Sequence, residues 1–259
     1  MREEVNKNKF LLGTWSMLSS ANVIDVIGST GLDFVILDME HGSMSKETVE
    51  HSIRSAQARK IFSLIRTQNH NESEILRVLE LSPSGIMVPH IESAELAEKV
   101  VSMCRYAPHG VRGLSPYTRV HSFDHEMIEE SMLAANQELC VGILIEGGLG
   151  LNNIAEICSV SGLDLVYLGI YDICQSLGLP GQLNHSSVIS RLKSCIDIIN
   201  KSGKIAGMFV RDAKTAQLYI DMGVKFIAYV ADSYALKSYY VNAVNEVRLK
   251  NDLAISLDF

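Results

Sequence analysis

Six ionisable side chains stand where short apolar runs stop. Glu40 and His41 close the run 33–41 (DFVILDMEH), Arg66 closes 61–66 (IFSLIR), and His90 closes 85–90 (GIMVPH). Glu146 closes 139–146 (LCVGILIE), and Asp172 lies just past 163–169 (LDLVYLG). Charged groups are seldom buried unless paired or bound to something, so each such ending needs a reason. Arg66 offers a planar fork of N–H donors that matches a carboxylate or polarises a carbonyl oxygen. Its plainer role is an ion pair with Glu146 or Asp172. Those two carboxylates can chelate a hard divalent cation, or one of them can remove a proton next to a carbonyl. Asp172 can equally cap the helix that follows. His41 and His90 are proton-transfer candidates, because imidazole titrates near neutral pH. His41 reads as readily as a loop histidine beside Glu40. His90 follows Pro89 at the end of an apolar strand, a costly place for a polar ring without a partner. Glu80 stands in a helix before the fourth strand, as a solvated carboxylate or as a group that orients a histidine.

The elements that carry these groups are legible from periodicity. Apolar runs without alternation read as strands buried on both faces, the mark of a parallel sheet. Eight appear, at 10–16, 33–40, 61–66, 85–90, 139–146, 163–169, 204–209 and 226–230. Helical spacing separates them. Ser45 can cap a helix with Val49, Ile53 and Ala56 inward, Asn71 with Glu74 resembles a capping box, and Asp212 can cap the helix closed near Gly223. Strict strand–helix alternation of this length implies one (β/α)8 TIM barrel over residues 1–259. Catalytic groups of such barrels gather at the carboxyl ends of the strands, so the six endings converge on one rim. An open doubly wound sheet fits less well, because no GxGxxG follows an early strand. Residues 106–137, with APHGVRGLSPYTRVHSFDH, break the rhythm and read as a functional loop or an oligomer contact, whose histidines could overhang the pocket. Glycines 147, 148 and 150 loosen the turn after Glu146, and Gly148 is a candidate for contact with substrate.

Composition narrows the function classes. The chain has 259 residues, 47% of them hydrophobic, enough for one large core. A net charge of -7 gives no electrostatic footprint for nucleic acid or an anionic membrane. The first ten residues are polar, no signal peptide is expected, and no apolar run approaches the ~20 residues of a membrane span. Five scattered cysteines in no metal-binding spacing read as reduced thiols of a cytoplasmic protein.

At these residues the chain resembles the HpcH/HpaI family of pyruvate aldolases. The carrying motifs are GTWS at 13–16, LDMEHG at 37–42, IRT at 65–67, MVP at 87–89, YAPHGVRG at 106–113, LIE at 144–146, GIYD at 169–172 and LGLPG at 177–181. The resemblance implies a barrel of the phosphoenolpyruvate/pyruvate-domain type. It also implies a homo-oligomer, hexamer or dimer, often with the last helix swapped between protomers. It further implies an enolate stabilised by Mg2+ or Mn2+ held by Glu146 and Asp172. Under it, His41 is the base and Glu80 takes the position of its acidic partner. Arg66 binds substrate, and Trp15 lines the pocket.

Three departures redirect the expectation. Leu144 stands where the family usually has Gln, Ile170 and Tyr171 stand where it usually has Pro-Ala, and His90 is extra. Losing a polar group beside the metal position and gaining a proton donor suggest an oxyanion handled by hydrogen bonds, with no cofactor required. That pattern resembles the metal-independent branch that makes citrate for siderophores of the staphyloferrin B type, which implies condensation of oxaloacetate with acetyl-CoA. The expected partners are then a small dicarboxylate and an acyl-CoA. The competing expectation is a divalent-metal aldolase that cleaves 4-hydroxy-2-oxo acids to pyruvate and an aldehyde. A non-catalytic binding protein on the same barrel is the third.

Overall fold

A computed structural model describes residues 1–7 and 9–249. A short helix α1 (Arg2–Lys7) precedes β1 (Leu11–Ser16), α2 (Ala21–Gly28), β2 (Phe34–Asp38), α3 (Lys46–Ala58), β3 (Phe62–Arg66), α4 (Glu72–Leu79), β4 (Gly85–Val88) and α5 (Ala94–Cys104). A 3-10 turn (Arg119–His121) and α6 (Ile128–Glu138) lead to β5 (Cys140–Ile145), α7 (Gly148–Asn152), α8 (Ile154–Cys158), β6 (Leu165–Leu168), α9 (Ile170–Ser176) and α10 (Ser186–Lys201). β7 (Ile205–Val210), α11 (Ala213–Asp221), β8 (Phe226–Ala231) and α12 (Asp232–Leu249) complete the order. The eight strands are all parallel and close on themselves, β8 pairing with β1. This is the (β/α)8 barrel that the alternation predicts.

Strand parity divides the core in two. Phe34 and Ile36 of β2, Leu64 of β3, Met87 of β4, Leu144 of β5 and Tyr167 of β6 fill the barrel interior, where Phe34 stacks on Phe226 at 3.7 Å between ring centres. The alternate residues, such as Val35, Leu37, Ile86, Val88 and Ile143, face the helices and pack against Ile53, Val78 and Val100. Each fully buried side chain of this kind contributes roughly 1.5–3 kcal/mol. Gly13 is forced by this packing, since a Cβ there would stand 2.4 Å from the Phe34 ring. Val5 of α1 is buried against the interior set and plugs its amino-terminal end. The caps form at Ser45, which accepts from Thr48 N at 3.1 Å, and at Asp212, which accepts from Thr215 N at 2.7 Å. The Asn71 capping box does not form. Asn71 makes no side-chain cap bond, and Glu74 pairs with Lys46 at 3.0 Å instead.

Residues 106–137 differ from the expected loop. They hold the 3-10 turn and α6, and they lie at the amino-terminal face of the barrel. The reason is topological: α5 runs back from the carboxyl rim, and β5 starts at the opposite face. Arg119 anchors the segment there, donating to Leu81 O at 3.4 Å and to the Gln57 side chain. Histidines 109–125 therefore cannot overhang the mouth of their own chain.

His121 pins this segment. Its Nε2 is 2.9 Å from the Tyr106 hydroxyl and its Nδ1 is 2.6 Å from Ser131 Oγ. Arg112 lies over the Tyr106 ring at 4.4 Å and pairs with Glu80 at 3.4 Å. Burial lowers the His121 pKa below its ordinary 6.5, more than Glu80 raises it. The folded state thus prefers the neutral ring. That contribution is fully present above the unfolded pKa and is lost as pH falls through the folded one. Thermal melts between about pH 8 and about pH 5 should show Tm falling below about pH 6.5, with a shallower slope in His121→Gln.

Candidate active site

Seven strands place the site. Trp15 is next to last in β1, Asp38 ends β2, Arg66 ends β3, Leu144 is next to last in β5 with Glu146 just past its end, and Ala231 ends β8. Tyr167 lies near the end of β6, and Phe209 near the end of β7. They line a pocket of about 310 Å3 together with Met17, His41, Gly169, Ile170, Tyr171 and Asp172. That volume lies within the range of small-molecule sites, and most of the wall is apolar. Gly169 is required by close approach: a Cβ there would meet Glu146 Cγ at 2.8 Å.

Arg66 is buried and held on two sides. Its Nε donates to Asp38 Oδ1 at 2.9 Å and its Nη2 to Asp38 Oδ2, a fork-on-fork pair. Its Nη1 lies 3.1 Å from Glu40 Oε2, an ion pair without hydrogen-bond alignment. The ion-pair partner expected from the sequence was Glu146 or Asp172, and the structure replaces both with Asp38 and Glu40. Parity is the reason: Phe34, Ile36 and Asp38 face inward together, so Asp38 meets its register partner Arg66 across the barrel lining. Asp38 also accepts from Glu40 N and His41 N at 3.0 and 3.1 Å, which sets the turn bearing those residues. A guanidinium has five N–H donors. The hydrogen bonds to Asp38 engage two, one on Nε and one on Nη2, which leaves both on Nη1 and one on Nη2. The planar group also lies over Trp15, 4.6 Å from its centre, while Trp15 Nε1 donates to the Tyr167 hydroxyl at 3.0 Å. Burial raises the Tyr167 pKa, so its phenol stays neutral.

His90 bridges two carboxylates. Its Nε2 is 2.9 Å from Glu40 Oε1, its Nδ1 is 2.9 Å from Glu146 Oε2, and its backbone N donates to the same Glu146 oxygen at 3.2 Å. By parity His90 follows Ile86 and Val88 toward the helices. A left-handed φ of +60° turns it back over the rim, a conformation that non-glycine residues adopt at a cost. The cost is offset by the three contacts. The ring itself is 61% exposed. Glu146 is buried, and burial pushes its pKa up, reinforced by the charge of Glu40 and opposed by His90 and Arg66.

The remaining sequence candidates fall as follows. His41 is exposed on the pocket wall. Asp172 lines the same pocket from the first turn of α9. It is exposed and does not cap that helix, whose first residue follows Gly169 without a side-chain cap. Gly148 begins α7, just beyond Glu146. Glu80 is different. It follows α4 at the start of β4, the amino-terminal face, and pairs with Arg112. Within one chain it therefore cannot be the acidic partner of His41, which stands at the other end. Asp38, Tyr167 and Phe209 were not singled out from the sequence. Counting inward positions along each strand, two by two from Phe34, Leu165 and Ile205, would have found them.

Glu146 and Asp172 are the two carboxylates available to a divalent cation. One oxygen of Glu146 already receives His90, and among the described residues no group of three His, Cys, Asp or Glu is arranged to hold a metal. Glu146 and Asp172 would be the residues to hold a hard divalent cation, which would supply Lewis-acid stabilisation of a substrate oxygen.

A closed parallel barrel with a buried acid and guanidinium and an exposed imidazole at its carboxyl mouth has the architecture of a barrel enzyme. A model of the HpcH/HpaI aldolase/citrate lyase family matches residues 11–238, and the chain belongs to that family. It is 29% identical to the pyruvate aldolase of Rhizobium etli over 231 residues, 89% of this chain and 90% of the relative. It is 28% identical to the 2-keto-3-deoxy-L-rhamnonate aldolase of Salmonella paratyphi B, covering 90% of this chain and 86% of that one. Among solved structures, citrate synthase SbnG matches with a TM-score of 0.89 and 28% identity, over 97% of this chain and 98% of that one. The family relationship makes the chain an enzyme of aldolase/citrate lyase type. Among the described residues no helix is long and apolar enough to cross a membrane.

Proposed function

We propose that the pocket condenses oxaloacetate with acetyl-CoA to give citrate and free CoA. The observation that carries this reading is Glu146: a buried carboxylate with a raised pKa, held by His90 and facing the same pocket as Arg66. A raised pKa makes a stronger base, which proton removal from a thioester methyl group needs. Arg66 holds a carboxylate of oxaloacetate with one free N–H on each terminal nitrogen and stays fixed by Asp38. Glu146 takes a proton from the acetyl methyl, and the resulting enolate carbon attacks the ketone carbon of oxaloacetate. The ketone oxygen becomes an alkoxide and takes its proton from His90, one of whose carboxylate contacts opens to release it. Water then cleaves the citryl thioester, leaving citrate and the CoA thiol. The apolar wall of Trp15, Leu144, Ile170 and Phe209 keeps bulk water from the enolate. The citrate would serve siderophore biosynthesis, a reading supported by the sequence resemblance.

The second reading is a divalent-metal aldolase, favoured by identities of 28 and 29% to the two aldolases. In it Glu146 and Asp172 would hold the cation, which supplies Lewis-acid stabilisation of an enolate oxygen. One assay separates the two. Protein, oxaloacetate and acetyl-CoA are incubated with excess EDTA, and free thiol is followed. Undiminished thiol release is expected. No release with or without metal, alongside metal-restored pyruvate formation from a 4-hydroxy-2-oxo acid, would overturn the condensation.

The same reading includes a homo-oligomer, with the last helix lying on a second copy. No described side chain of α12 beyond Asp232 is buried, and Tyr234, Leu236, Tyr239 and Tyr240 are exposed. Apolar surface of this extent marks an interaction site. Light scattering should give a multimer for the natural chain and a smaller species for Tyr239→Ser/Tyr240→Ser. A natural chain that runs as a monomer would refute it.

A further inference from the structure

Tyr167 carries a proton that neither the condensation nor the fold uses. The residue belongs to the interior set of β6, is 2% exposed, and lines the pocket. Its ring is fixed on three sides. Trp15 meets it edge-on at 5.6 Å between ring centres, and Phe226 does so at 6.4 Å. On the third side its register partner on β7 is Gly207, where a Cβ would stand 2.6 Å from the Tyr167 ring. Only a residue without a side chain leaves room for the ring there, so the barrel lining sets the place of the phenol.

The hydroxyl accepts from Trp15 Nε1 at 3.0 Å. That bond uses an oxygen lone pair and leaves the O–H as a donor. Among the described residues no acceptor takes this proton. Two carboxylates of the pocket wall are engaged elsewhere, since Asp38 receives Arg66 and Glu146 receives His90. A buried donor without an acceptor is costly and uncommon, so it marks a place where an oxygen comes from outside the chain. Burial keeps the phenol protonated, so the donor is present at neutral pH.

The position of this donor relative to Arg66 defines what the pair can bind. β3 and β6 stand three strands apart in the closed order, so Arg66 and Tyr167 reach the pocket from separate walls. Trp15 of β1 joins them: the guanidinium lies over its face at 4.6 Å, and the phenol sits at its N–H edge. The two donors therefore flank one indole and do not converge on one point. A ligand that satisfies both carries oxygens at both of its ends. Pyruvate ends in a methyl group, whereas oxaloacetate ends in a second carboxylate.

We propose that the Tyr167 hydroxyl donates to the second carboxylate of a 2-oxo dicarboxylic acid whose first carboxylate lies on Arg66, so that this phenol selects a diacid over a monoacid. The proposal rests on the condensation reading for the place of oxaloacetate and adds the contact at its far end. Anchoring both ends fixes the ketone carbon between them, which attack by an enolate carbon requires.

The test is calorimetric titration of the full-length chain with oxaloacetate and with pyruvate. The natural chain should bind oxaloacetate about tenfold more tightly, the size of one hydrogen bond to a charged group. Tyr167→Phe keeps the ring and its packing. It should lose that factor for oxaloacetate and change pyruvate by less than about twofold. A phenol that merely holds Trp15 would matter only while the indole is present. In a Trp15→Phe background, Tyr167→Phe should still cost about tenfold for oxaloacetate, a double-mutant cycle without coupling. Equal affinity of the natural chain for the two acids overturns the proposal without any variant. So does a Tyr167→Phe chain that binds oxaloacetate as the natural chain does, that loses both acids equally, or whose loss disappears once Trp15 is gone. Oxaloacetate binding that depends on Tyr167, in a chain that releases no thiol from acetyl-CoA, sustains the role of the phenol and removes the condensation. Thiol release with an unchanged KM for oxaloacetate in Tyr167→Phe keeps the condensation and removes the role of the phenol. No binding of oxaloacetate by the natural chain removes both.

Discussion

Glu146→Gln should leave a folded barrel that has lost about 10³-fold in kcat, or about 4 kcal/mol of barrier lowering, the range of a positioned general base. The substitution keeps the shape and both heteroatoms. The amide can still accept from His90 N, the 3.2 Å contact that ties the β4 rim to β5. What it cannot do is take a proton. KM for oxaloacetate should therefore change little, because Arg66 is engaged by Asp38 and Glu40 and does not depend on Glu146 for its position. Steady-state kinetics with matched circular-dichroism spectra check this. A glutamine variant retaining more than about a tenth of kcat would transfer the base role elsewhere, with Asp172 the next carboxylate on the pocket wall. The raised pKa has its own signature. A base must be ionised, so activity should be lost as pH falls through a value above the usual carboxylate range.

Arg66→Ala should raise KM for oxaloacetate by about 100-fold, the equivalent of a charge-assisted double hydrogen bond. The same change removes one partner from a buried network. Asp38 is 1% exposed and would lose the guanidinium that meets both its oxygens, so folding stability should fall by roughly 3–5 kcal/mol. The two effects need separate readouts. Arg66→Lys keeps a positive charge near Asp38 but not the planar fork, and it should recover much of the stability and little of the KM. An alanine variant that is folded, with unchanged KM, would remove Arg66 from substrate binding and leave it as a neutraliser of the β2–β3 rim.

The particular residues show how far the sequence carries. The eight apolar runs, the Ser45 and Asp212 caps and the carboxyl-end placement of Arg66 and Glu146 are all local signals, and each survives in the structure. Helices α7 and α8 are five residues long, too short to show a period, and they lie where the sequence suggests only a permissive turn. Asn71 looked like a cap because its spacing to Glu74 is right. Lys46 of the neighbouring helix takes that carboxylate instead, which no local pattern contains.

The sequence by itself determined that this chain alternates strand and helix eight times, and that ionisable groups sit where strands stop. It could do so because hydrophobic period and strand-end charge are properties of consecutive residues. Only the tertiary structure decided which groups meet. Barrel closure and inward parity paired Arg66 with Asp38, and a left-handed φ brought His90 back over Glu146. The antiparallel return of α4 carried Glu80 to the far face, because a contact between distant residues is set by register and direction, which no single stretch encodes.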